Sequence, residues 1–90
     1  MGVVRAVAPQ PGFEVRRVAV APGRSRAYDE AEWRGALVVV ARGRIELEGL
    51  SGTRRGFAAG AALWLDGLPL RALHNHGREP AVMVAFTRLR

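Results

Sequence analysis

The sequence predicts an all-β fold, a small antiparallel jelly-roll barrel or sandwich of eight or nine short strands. Three observations carry that expectation. Apolar and polar residues alternate in short runs, Gly and Pro recur between the runs, and helical periodicity is almost absent. With 90 residues, 49% of them hydrophobic and 24% charged, the chain has the balance of one small domain spanning residues 1–90. A chain of this size buries only roughly 60–65% of the surface its unfolded form exposes, so cover from a partner subunit is expected to help.

Val3 to Val7 forms the first apolar run, and Pro11-Gly12 turns the chain. Phe13, Glu14, Val15 and Arg16 then alternate, after which the phase slips to Val18 and Val20. Such a slip predicts either a bulge or a strand whose halves serve different faces. Pro22-Gly23 is the next turn, and Asp29 to Trp33 closes one short helical turn that Gly35 stops. Leu37 to Val40 is apolar on both faces. Arg44 to Glu48 alternates, Gly49-Leu50-Ser51-Gly52 reverses the chain, and Thr53, Arg54 and Arg55 return, a hairpin with acidic residues opposite basic ones. Leu63–Leu65, Arg71–Asn75 and Ala81–Leu89 complete the strands.

Composition excludes several chemistries. There is no cysteine, hence no disulfide, thiolate metal site or thiol nucleophile. All 14 basic side chains are arginine, which removes Schiff-base chemistry and a lysine base. Proton transfer is left to eight carboxylates, two His and one Tyr. The longest apolar stretches, Ala36–Ala41 and Phe57–Leu65, fall well short of the roughly 20 residues of a spanning helix, so no membrane segment and a cytoplasmic location are expected. A net charge of +6 raises the question of nucleic acid. The arginines are dispersed, however, and no segment interleaves them with aromatic residues, so the basic module is kept only as a second alternative.

From about Arg24 to Arg88 the chain resembles the cupin superfamily of small jelly-roll barrels. Val39 to Leu47, with Gly43 at its centre, looks like the strand, glycine turn and strand that end the first cupin motif. Ala59-Gly60 followed by Leu63-Trp64-Leu65 looks like the opening of the second, and Asn75-His76-Gly77-Arg78-Glu79-Pro80 with Val82, Val84 and Phe86 resembles its closing turn and strand. The resemblance implies the barrel. It also supplies the positions of the family's metal ligands, and here those positions are changed. Counting back from Gly43 puts Ala36 at the glutamate, and Asp29 with Ala31, or Glu30 with Glu32, at the histidine pair. Arg71 stands at the second motif's histidine and Asp66 at its usual proline. Transition metals want neutral imidazoles and carboxylates. A permanent cation at Arg71 opposes them, so no metal and no other cofactor is expected.

The candidate ligand-binding residues are Arg71, Tyr28, Glu30, Glu32, Trp64 and Asn75, all taken as facing the barrel interior. An inward Arg71 needs an answering anion. That anion is either a bound small molecule or an internal carboxylate, Asp29, Glu30, Glu32 or Asp66. A one-residue shift of the alignment instead puts Leu70 inside and Arg71 on the surface. His74 and His76 share a strand face, expected to be the outer one or the turn, and no metal is assigned to them. Ser25 and Ser51 lack the nucleophile-elbow context of a serine hydrolase. The reading is a metal-free binding or accessory protein for a small, anionic ligand, with no catalytic residue assigned. The first alternative is an enzyme in which Glu30 or Glu32, Tyr28 and a His move protons on a small anionic substrate. Because Leu37–Val40 leaves one apolar face without cover, a homodimer is expected.

Overall fold

The computed structural model describes residues 12–88. Eight strands occur among these residues: β1 (Phe13–Val20), β2 (Ser25–Ala27), β3 (Ala36–Arg42), β4 (Arg44–Gly49), β5 (Arg54–Ala58), β6 (Ala62–Trp64), β7 (Leu70–His74) and β8 (Ala81–Arg88). They form two four-stranded antiparallel sheets. The first has the order β1-β8-β3-β6 and the second β2-β7-β4-β5. The expected run at Val3–Val7, and Leu89 at the end of the last strand, lie outside the described residues.

Each sheet turns one row set of its pleat toward the other. Val18, Val20, Val38, Val40, Leu63, Ala81, Met83 and Ala85 from the first sheet meet Ile45, Leu47 and Leu73 from the second. Burying each of the Val, Leu, Ile and Met side chains contributes roughly 1.5–3 kcal/mol relative to exposure, and the alanines less. The phase slip in β1 is not a bulge, because its register with β8 runs unbroken from Phe13↔Arg88 to Val20↔Ala81. The two halves serve different faces: Val18 and Val20 point into the core, whereas Phe13 and Val15 alternate to the outer face.

The short helical turn is present as α1 (Glu30–Trp33). The Asp29 side chain caps it by accepting from the Ala31 amide at 3.1 Å. Gly35, at φ 71°, ends it in a conformation that costs glycine little. The turn matters because it drops Trp33 into the core, where the indole is fully buried. Gly43 carries the other indispensable glycine conformation. A Cβ there would stand 2.5 Å from the Pro80 carbonyl oxygen, so the β3–β4 turn passes the β7–β8 connection only because nothing projects from it.

Candidate functional site

Asn75 is the one buried polar residue among the described residues. Its Nδ2 donates to the carbonyls of Val20 at 2.9 Å and Glu79 at 2.8 Å, and its Oδ1 accepts from the Gly77 amide at 2.8 Å. Both amide protons and one acceptor are therefore committed to the backbone. Asn75 is buried, and its hydrogen bonds are spent on tying the β7–β8 turn to β1.

Arg71 is not inside. Ala72 pairs with Glu48, but the next pair is Leu70 with Gly49, so β7 carries one extra residue there and Arg71 is the bulged one. The bulge swings Leu70 against the core and leaves Arg71 on the outer face, its side chain 56% exposed and its guanidinium 3.7 Å from Glu48 and donating to the Leu50 carbonyl at 3.1 Å. The shifted alignment is the correct one. Trp64 likewise faces out, 56% exposed, in a row with Leu37, Phe86 and Val15 across the first sheet. Neither residue lines the interior, because in each case strand register, not residue type, decides the face.

Inward arginines do exist, at Arg16 and Arg26. Arg16 donates to Glu32 Oε2 at 3.0 Å and to the Glu32 carbonyl at 2.7 Å, and Arg26 bonds the same carboxylate oxygen. Arg16 also lies over the Trp33 ring, 5.1 Å from its centroid. An internal carboxylate thus answers an inward arginine, and Glu32 is among the residues expected for it, but the arginines are different ones. Glu30 is exposed and pairs with Arg34 at 2.9 Å. Tyr28 packs against the core with its hydroxyl buried and unpartnered, and burial, with Glu30, Asp66 and Asp29 nearby, pushes its phenol above the ordinary value. Tyr28, Glu30 and Glu32 share this corner, but both histidines lie on the far side of the second sheet. The acid–base group of the enzyme alternative is not assembled.

The residues at the ligand positions of the metal motif do not fit an ion. Ala36 is buried among apolar neighbours, Glu32 is taken by two arginines, and Arg71 points away. Among the described residues no group of three His, Asp or Glu side chains is placed to hold a metal.

The residue missed by sequence reasoning is Arg55. Along the inner face of the second sheet one register row runs Arg26, Leu73, Leu47, Arg55. Beside its β5 end lies a cavity of about 350 Å3 lined by apolar Leu47, Phe57, Leu68 and Leu70 and by polar Ser51, Thr53 and Arg55. Arg55 stands 6.0 Å from the Phe57 ring centroid and makes no ion pair among the described residues. The signal was legible: once Arg54 opposes Glu48 on the outer face, Arg55 must oppose Leu47 on the inner one.

No family model matches this chain, and no curated protein matches it. Among solved structures it is similar to a Cupin 2 conserved barrel domain protein from Salinispora arenicola, with 29% identity, a TM-score of 0.65, and coverage of 89% of this chain and 69% of that one. It is also similar to the Cupin_2 domain of an XRE family transcriptional regulator from Enterobacter cloacae, with 22% identity, a TM-score of 0.65, and coverage of 88% and 84%. Oxidized CprK in complex with o-chlorophenolacetic acid matches at 15% identity with a TM-score of 0.53, covering 97% of this chain and 37% of that one. The fold and these neighbours assign the chain to the cupin-like superfamily. Among the described residues no helix is long and apolar enough to cross a membrane.

Proposed function

We propose that this cupin-like barrel binds a small organic anion, with an apolar body seated against Leu47, Phe57, Leu68 and Leu70 and a carboxylate held by Arg55. The observation that carries the reading is Arg55 itself, an exposed cation that lines an apolar cavity and makes no ion pair among the described residues. A pocket of this size, mostly apolar with a few convergent polar groups, is the usual form of a small-molecule site. The guanidinium offers a bidentate fork to a carboxylate, and the Ser51 and Thr53 hydroxyls add neutral donors beside it. The carboxylic acid in the CprK complex is a ligand of this chemical class on the same kind of fold. The reading sets this protein in the cytoplasm, as a binding or accessory protein with no reaction of its own in this pocket.

Thermal unfolding tests the proposal. Aryl and alkyl carboxylates should raise the melting temperature, as any ligand that prefers the native state must, while their neutral amides should not. Arg55→Leu should abolish the response. A carboxylate series that leaves the melting temperature unchanged, or that acts equally on Arg55→Leu, would refute it.

The reading includes a homodimer built on the outer face of the first sheet. Val15, Phe86, Leu37 and Trp64 form one continuous apolar row, with Val84, Val39 and Ala62 in the next. A patch of that kind on so small a domain is an association surface, and a second copy covers it self-complementarily in a C2 pair. Light scattering should give twice the 9.7 kDa chain mass, and Leu37→Asp with Trp64→Asp should halve it. A wild-type monomer at micromolar concentration would remove the claim.

A further inference from the structure

The outer face of the second sheet brings together a serine, a histidine and a glutamate that the cavity reading does not use. Ser25 on β2 pairs with His74 on β7, and Ser25 Oγ lies 2.5 Å from His74 Nδ1. On the other side of the ring, His74 Nε2 lies 2.7 Å from Glu48 Oε1. An ionised carboxylate only accepts, so Nε2 carries the proton toward Glu48; in the neutral ring Nδ1 is then bare and accepts the serine hydroxyl proton. The hydrogen bond from His74 is the first cause holding the Glu48 carboxyl below its ordinary range, so it is ionised at neutral pH.

The backbone explains why the serine is so close. Gly23, at φ 71°, donates to the Asn75 carbonyl while the Asn75 amide donates to Arg24, the bonding of a glycine bulge at the start of β2. Arg24 opposite Asn75 is thereby the hydrogen-bonded pair and Ser25 opposite His74 the non-bonded one, in which side chains approach most closely. Among the described residues β2 is the edge of its sheet, and the Ser25 amide points off that edge, away from β7. Ser25 is exposed, whereas the His74 and Glu48 side chains are only 14% and 16% exposed. His76 stacks on His74 at 5.6 Å between centroids, and Glu46 holds His76 Nε2 at 2.8 Å, which fixes the imidazole from one side. A second cavity of about 250 Å3, lined by His74, His76, Glu46 and Arg44, opens beside the ring.

We infer that Ser25, His74 and Glu48 form a relay in which Ser25 is a nucleophile toward small activated carboxylic esters. The Ser25 oxygen forms the bond to the ester carbonyl carbon as its proton passes to His74 Nδ1. The carbonyl oxygen takes the negative charge beside the Ser25 amide. The carbon–oxygen bond to the leaving alcohol then breaks, and that alcohol leaves with the proton from Nδ1. Water repeats the sequence on the acyl-serine, releasing the carboxylic acid and restoring Ser25. Glu48 is a positioning residue that keeps the ring in the tautomer with Nδ1 free. The inference is independent of the Arg55 cavity.

Acylation by p-nitrophenyl acetate, followed by peptide mass spectrometry, tests it on the intact chain. Ser51, an exposed serine bonded only to Thr53 at 3.1 Å, is the internal control. Acetyl transfer to Ser25 should exceed that to Ser51 at least about tenfold, fall to the Ser51 level in His74→Gln, and vanish from this site in Ser25→Ala with the melting temperature little changed. Glu48→Gln should slow acylation, and ring-nitrogen NMR should then show His74 mixing both tautomers where the wild type holds one. Equal labelling of Ser25 and Ser51 in the wild type would overturn the proposal. So would labelling of Ser25 that persists in folded His74→Gln.

Discussion

Arg26 and Arg55 occupy the two ends of one register row on the same face of the same sheet, separated by Leu73 and Leu47. Their surroundings are opposite. At the β2 end the gap between the sheets is closed: α1 crosses it, Trp33 fills it, and Glu32 bonds both Arg16 and Arg26. At the β5 end no helix crosses, no carboxylate answers the arginine among the described residues, and a cavity remains. The difference teaches that an inward cation on a small barrel is resolved in one of two ways. A local acidic segment converts it into structure, or its absence leaves a charge available to a ligand. Arg26 is half-buried, so its desolvation needs that answer, whereas Arg55 is exposed and keeps its hydration until a ligand arrives.

The comparison is broken most sharply at Trp33. If the closed end is where stability resides, Trp33→Ala should destabilise by about 3–5 kcal/mol, as large-to-small changes at fully buried aromatics do. Urea unfolding measures it, and a loss near the value for a surface residue would mean that the closed end is no better packed than the open one. Glu32→Leu comes next. It strands two half-buried guanidinium groups, and because both remain partly in contact with water the expected loss is smaller, about 1–3 kcal/mol. Arg55→Leu, by contrast, should leave stability almost unchanged while removing the carboxylate response. Equal costs for Glu32→Leu and Arg55→Leu would erase the distinction between the two ends.

The smallest effect is expected at Arg71, which serves as the outside reference for both. Its contacts to Glu48 and the Leu50 carbonyl are exposed, so Arg71→Leu should shift stability within about 0.5 kcal/mol and leave ligand binding untouched. A larger loss would show that the bulge depends on that side chain.

Much of this molecule was legible in its residues. Alternation, apolar runs and the turns between them located every described strand except β2, whose three residues, Ser25, Arg26 and Ala27, carry no apolar pattern of their own. The α1 turn followed from Asp29 as a cap and Gly35 as a stop, since capping is local chemistry. The superfamily pieces implied the barrel, and the order of its strands came from the pairing. In the β4–β5 hairpin, Arg54 opposite Glu48 on the outer face sets Arg55 opposite Leu47 on the inner one.

What the sequence by itself determined is therefore the class of fold, the hairpin, the helical turn and the loss of the metal-ligand set, because each depends on residue identity or on neighbours close in the chain. The tertiary structure alone decided which face each arginine occupies and which distant groups meet. Arg71 lies outside because one extra residue in β7 shifts the pleat by one, and a shift of one exchanges the two faces of a strand. Ser25, His74 and Glu48 come from three strands that join only through long-range ladders, so no spacing along the chain announces their contact. Local pattern sets what a strand is; pairing register, a property of two strands at once, sets what its side chains touch.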